Sequence, residues 1–251
     1  MDANVIVSGL LSIMKYSTRK MLFSKRWVIV LLIMILVGAI MGYAGSLEGD
    51  RLRGGTDLMD VLILFFIMPV IAMIYGASLI RNEIDDKTIT QVITSPLPRP
   101  ISYIGYYISL VISLSIIMVL INSVGWLAFF GQQGMGDGAG SILLVMMALG
   151  VIGSIVYSSL FLMSSVIFKR PIYIGLFYAF IWEGFIGSIP GAISKYTLKH
   201  FIRSIGSSWL DFGEISLYDG ASAGTAFGVL IGITVVCLAV GAFLFREKEY
   251  P

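Results

Sequence analysis

Glu183 is the one charged residue well inside an apolar run, Ile172–Ile189. A carboxylate in hydrocarbon is costly and normally faces a bundle interior or a cavity. Two roles fit it: a polar contact on a path or gate, or a structural glutamate hydrogen-bonded to a neighbouring helix. Little else in the chain can do chemistry. There is one cysteine, Cys237, and one histidine, His200. An intramolecular disulfide, a cysteine metal cluster and a histidine-rich zinc or haem site are therefore excluded. The run Gly134–Gly140 is rich in glycine but has no lysine, and no glycine-rich loop ending in Gly-Lys-Ser/Thr is present to cradle phosphates. Serines abound, yet no histidine or aspartate lies within an apolar run to activate one. The expectation is a chain with no catalytic residues, no metal ligands and no cofactor of its own.

The most informative polar stretch is Arg81–Pro100, RNEIDDKTITQVITSPLPRP. It opens on the acids Glu83, Asp85 and Asp86, which favour a helix N-terminus. It continues through the apolar positions Ile84, Ile89, Val92 and Ile93, and Pro96 and Pro98 then stop any helix. A short helix starting at Glu83–Thr88 suits docking to a partner. The alternative is a loop that only fixes topology.

These residues are held by a chain built for lipid. Of its 251 residues 57% are hydrophobic and 13% charged, against about 25% charged in soluble domains. Water-soluble and disordered chains are excluded, and a net charge of +2 gives no reason to expect nucleic acid. Six runs approach or exceed the ~20 residues needed to cross a bilayer: Trp27–Tyr43, Val61–Ile80, Ile101–Phe130, Ile142–Phe168, Ile172–Ile189 and Ala223–Phe245. They are continuous, whereas barrel strands would alternate in polarity. The fold class expected is an all-α integral membrane protein with six spans, in one domain over residues 1–251. With the N-terminus inside, the inner segments hold 12 Lys and Arg and the outer ones 5. That asymmetry predicts both termini and the 81–100 segment in the cytoplasm.

Two further segments read as amphipathic. In residues 1–26, Ile6, Leu10, Ile13, Met14 and Met21 share one helical face, and Lys15, Arg19 and Arg26 lie opposite, which suits an interfacial helix against anionic lipid. In residues 190–222, Ile193, Leu198, Phe201, Ile202, Ile205 and Trp209 form an apolar stripe opposite Lys195, Lys199 and Arg203. The other outer connections, Ser46–Asp60 and Gly131–Gly140, read as short loops. Pro69 is expected to kink the second span, Asn122 to hydrogen-bond across helices, and Tyr103, Tyr106 and Tyr107 to form a boundary belt. Gly224, Gly228 and Gly232 are expected at a close helix contact. His200 reads as surface polar, and Cys237 as a small lipid- or helix-facing residue.

Glu83, Thr88, Ser95-Pro96 and Arg99 resemble the pattern after the second helix of ABC type-2 transporter permeases, with Lys87 where that family usually has glycine. Tyr178–Pro190, around Trp182-Glu183, resembles some prokaryotic members. The resemblance extends over essentially the whole chain. It implies the membrane-spanning half of an exporter in a prokaryotic plasma membrane. Two permease copies would form the path, and each would dock a separate ATP-binding-cassette subunit that binds ATP and Mg. By the same resemblance Glu83, Ile84, Asp85, Asp86, Lys87, Thr88, Ser95, Pro96 and Arg99 would couple the two. Two other classes remain open: an ion-coupled carrier with Glu183 as the coupling carboxylate, and a membrane scaffold that holds a partner through residues 81–100.

Overall fold

The computed structural model describes residues 3–47, 51–85, 98–132, 138–188, 194–211 and 213–247, and every described element is helical. In hydrocarbon each backbone N–H and C=O needs a partner within the segment, and a helix supplies it. Five helices are long and apolar enough to cross a membrane, and Pro171–Phe185 is a shorter apolar one.

The chain starts with α1 (Ala3–Leu22) and turns into α2 (Trp27–Gly45). The second rod runs through α3 (Arg51–Leu58), a π-helical stretch (Met59–Ile67) and α4 (Met68–Asp85). Next come α5 (Arg99–Phe130) and α6 (Ala139–Ile167). Then α7 (Pro171–Leu176) widens into a π-helical stretch (Phe177–Phe185) and a 3₁₀ turn (Ile186–Ser188). A 3₁₀ turn (Ser194–Tyr196), α8 (Leu198–Trp209) and the single turn α9 (Gly213–Ser216) lead to α10 (Ala223–Glu247).

The longest helix, α5, is the spine. Pro98 and Pro100 open it, where a missing N–H costs no helical bond. It is packed by α1, α2, α6 and α10. Helix α1 and the end of α10 meet at its Arg99 end. Leu10 and Ile13 of α1 lie against Gly105, Ser109 donates to the Met14 carbonyl at 3.3 Å, and the Arg99 guanidinium reaches the Arg246 carbonyl at 2.9 Å. At the Phe130 end, Trp126 donates its indole N–H to Ala139 O at 2.7 Å and Gln132 reaches Gly42 O at 2.7 Å. There Gly45 lies so close to the Phe129 backbone that a Cβ would meet its carbonyl oxygen at 2.5 Å. Gly138, with φ of 99°, sits in the left-handed region where glycine is unstrained, and it starts α6.

Several expectations need correction. Much of Ser46–Asp60 is not a loop, because Arg51–Asp60 is already helical and continuous with α4. Within this helical stretch Asp57 accepts the Glu214 backbone N–H at 2.5 Å. At Pro69 the rod carries a π turn in which the preceding N–H, that of Met68, bonds Ile63 O five residues back. The wider π turn absorbs the bond proline cannot make. Asn122 donates to Met118 O of its own helix at 2.8 Å, not across helices. Tyr103 and Tyr106 are buried among helices, not in a rim belt, and a Cβ on Gly241 would run into the Tyr103 ring. A Cβ built on Gly224, Gly228 or Gly232 would meet, among the described residues and outside its own helix backbone, nothing within 4 Å. Small residues permit close packing, but they do not bring a helix there.

Candidate functional site

Where α8 meets the bundle, a polar cluster joins four parts of the chain. Glu183, 1% exposed, projects from the π-helical stretch after α7. Its Oε1 accepts the Tyr178 hydroxyl at 2.7 Å and the Leu198 N–H at 2.9 Å, and its Oε2 accepts the Lys199 N–H at 3.2 Å. The first N–H groups of a helix lack intrahelical acceptors and carry its positive dipole end. Glu183 therefore caps α8 from another element, while Thr197 caps it locally by accepting the His200 N–H at 3.3 Å.

So held, α8 packs into the bundle instead of lying at its rim. Ile202 approaches Gly153, which is about 21 Å along α6 from Ala139 at 1.5 Å per residue. Leu198, Ile202 and Ile205 are buried as the stripe requires, but Trp209 is exposed. The basic face does not point uniformly at solvent. Arg203 Nη2 lies 2.7 Å from Asp60 Oδ2 at the start of the second rod's π turn, and Asp60 is 1% exposed. The Lys199 ammonium sits over the Phe65 ring, and the Arg203 guanidinium is 5.0 Å from the Tyr218 ring centre. His200 is buried rather than surface polar, with Nδ1 2.6 Å from the Tyr218 hydroxyl. Burial lowers the Lys199 pKa to about 8, with the Arg203 charge adding to the effect. Burial also lowers that of His200, helped by Lys195, and raises that of Tyr218. Val61, Phe65, Lys199, His200, Arg203 and Tyr218 line much of a recess of about 390 Å³.

The second cluster lies at the Arg99 end. Glu83 is 3% exposed and takes Lys20 of α1 at 2.6 Å. Arg26 donates to Ser78 Oγ at 2.6 Å. These contacts fasten both ends of the α1–α2 turn to α4. Glu83 and Asp85 do not begin a new helix; they belong to the last turns of α4. Acids are unfavourable at that end of a helix, and the Lys20 ammonium offsets one of them. Glu83 faces inward to its own chain. Ile84 and Asp85 are described in backbone only, while Asp86, Lys87, Thr88, Ser95 and Pro96 lie outside the described residues. Arg99 opens α5 and bonds the end of α10.

The structure thus keeps Glu83 and Glu183 in separate clusters, one on Lys20 of α1 and the other at the start of α8. Sequence reasoning missed Asp60, Arg203 and His200 as partners. Asp60 abuts an apolar run and Arg203 repeats with Lys199, but neither signal pairs residues so distant in the chain. Among the described residues no cluster of His, Cys, Asp or Glu could hold a metal ion.

A search of curated proteins found no match. The family model for ABC-2 family transporter proteins matches residues 11–250. With all but the first ten residues and the last one matched, the chain belongs to the ABC-2 transporter family of membrane proteins.

Proposed function

We propose that this chain is the membrane-spanning permease half of an ATP-driven exporter, working in a prokaryotic plasma membrane with both termini in the cytoplasm. In this reading Pro171–Ser188 is the sixth span, α1 lies in the inner interface and α8 is the outer amphipathic segment. Two copies form the path, and each docks an ATP-binding-cassette subunit that binds ATP and Mg and does the hydrolysis. The coupling residues are Glu83, Ile84, Asp85, Asp86, Lys87, Thr88, Ser95, Pro96 and Arg99. The observation that carries the proposal is the Lys20–Glu83 pair. It ties the interfacial helix to the last turns of α4, directly before residues 86–97. A push on that segment then moves α1 and α4 together and reaches α5 through Arg99. Glu83 acts as a positioning residue for the docking segment.

Glu183 has a different place in this scheme. Its carboxylate accepts two backbone N–H groups and a hydroxyl, an arrangement suited to holding α8 over the path and not to ferrying an ion. The test is to express the chain with a candidate cassette ATPase, co-purify them, and measure ATP hydrolysis in lipid. The parent pair should hold together and hydrolyse ATP. Replacing Glu83 and Ile84 by Ala should weaken docking and abolish coupled activity, with the melting temperature of the permease within a few degrees of the parent. Flux through the parent without any ATPase would sink the proposal.

A further inference from the structure

Beside α8 the recess holds a cation, the Lys199 ammonium, for which no hydrogen bond to a described residue is present. It rests on the Phe65 ring. The acids nearby are already engaged. Asp60 is taken by Arg203 at 2.7 Å, and Glu183 is occupied by backbone N–H groups and Tyr178. Glu214 stands exposed at the mouth. The buried Arg203 Nε has no hydrogen-bond partner among the described residues. A cation over an aromatic face gains far less than one paired with an oxyanion out of water. His200 adds a donor: when Tyr218 donates to Nδ1, the ring proton lies on Nε2.

The recess also has an apolar side. Val61 and Phe65 line it, and Val61 is largely exposed to whatever surrounds the bundle. Its volume of about 390 Å³ falls at the small end of the range for small-molecule sites, about 300–1,000 Å³. That leaves room around one phosphate for the polar group that carries it.

We infer that this recess is a binding site for one anionic oxyanion group, a phosphate monoester or diester, taken by Lys199 and Arg203 with the rest of the headgroup against Val61 and Phe65. The oxyanion enters between the ammonium and the guanidinium and lifts Lys199 off the ring. Asp60 stays on Arg203 and keeps the site selective for a single negative group, because a second would meet the Asp60 carboxylate. The ligand is either a free phosphate or the headgroup of an acidic lipid; the Val61 side favours the lipid.

The experiment uses the purified full chain in phosphatidylcholine nanodiscs, with no ATPase present, so its result is separate from that of the transport proposal. Calorimetric titration and thermal melting are run with dihexanoyl phosphatidic acid and, separately, with inorganic phosphate. The parent should bind the lipid analogue and melt higher in its presence. Binding of the analogue alone identifies a lipid headgroup; binding of both identifies the oxyanion itself as the ligand. Lys199→Gln should weaken binding about tenfold, which is about 1.4 kcal/mol, and Lys199→Arg should restore most of it. Val61→Trp fills the recess from its exposed side, where the fold tolerates bulk, and should abolish binding even if Lys199→Gln folds poorly. The inference is overturned if neither probe binds the parent. It is equally overturned if Val61→Trp, or a folded Lys199→Gln, binds as the parent does.

Discussion

Glu183 and Leu198 are fifteen residues apart, and the carboxylate of the first accepts the backbone N–H of the second at 2.9 Å. The bond gives a buried carboxylate the partners that a membrane interior otherwise withholds, and it fixes where α8 enters the bundle. Glu183→Ala strips acceptors from two N–H groups and from Tyr178. Leaving a buried donor unmet costs about 1–3 kcal/mol. The variant should melt lower and express less well. Glu183→Gln should lose less, since its carbonyl can still face Leu198 while its amide opposes the Lys199 N–H. An unchanged melting temperature for the alanine variant would refute the capping role.

The Lys20–Glu83 pair is half in water on the lysine side, 39% exposed, and buried on the other. Solvent screening limits such a pair to roughly 1 kcal/mol or less. A double-mutant cycle with Lys20→Met and Glu83→Gln should therefore show a coupling of about that size. Hydrogen exchange of the α1 amides should quicken in either variant. Equal exchange in parent and variants would mean that α1 is held by its packing on α5 alone.

Lys199 makes stability depend on pH in a defined direction. Its folded pKa is about 8, below the usual lysine value, because burial and Arg203 disfavour the charge more than Asp60 and Glu183 favour it. Between about pH 8 and 10.5 the unfolded chain holds the proton and the folded chain has released it, so this contribution to stability rises with pH. Below pH 8 both states are charged and the cost of burying the charge is fully present. Lys199→Met should lack that rise, so its melting temperature should drop more, or rise less, across that window than the parent's. A parent curve that falls through the window by as much as the Lys199→Met curve would contradict the assignment.

Two glycines should respond oppositely to a side chain. At Gly45 a Cβ meets the Phe129 backbone, which has no rotamer to give way. Gly45→Val should cost roughly 1–3 kcal/mol by overpacking and lower the melting temperature. A Cβ built on Gly228 meets no described residue within 4 Å outside its own helix backbone, and Gly228→Ala should raise the melting temperature slightly, since alanine favours a helix interior by about 0.5–1 kcal/mol over glycine. Equal losses at both positions would refute the packing described for α2 and α10.

The apolar runs by themselves determined that this chain is a bundle of membrane-length helices, since in lipid a continuous apolar segment has few other ways to satisfy its backbone. They located five long helices to within a few residues, with the exception of the second rod, which starts far earlier than Val61. The pattern at Glu83, Thr88, Ser95-Pro96 and Arg99 pointed to the family. Periodicity also marked the buried side of α8 at Leu198, Ile202 and Ile205. What it left undecided was the polar pairing. A 3.6-residue period says which residues share a face, but not which neighbour that face meets. Tertiary packing alone brought Asp60 to Arg203, Glu183 to the start of α8 and Lys20 to Glu83. It turned Lys199 from the solvent face onto Phe65 and buried His200 against Tyr218. It also left the glycine stripe of α10 open. Each of these depends on how helices distant in sequence lie together, and a buried charge must take whatever partner that arrangement brings within reach.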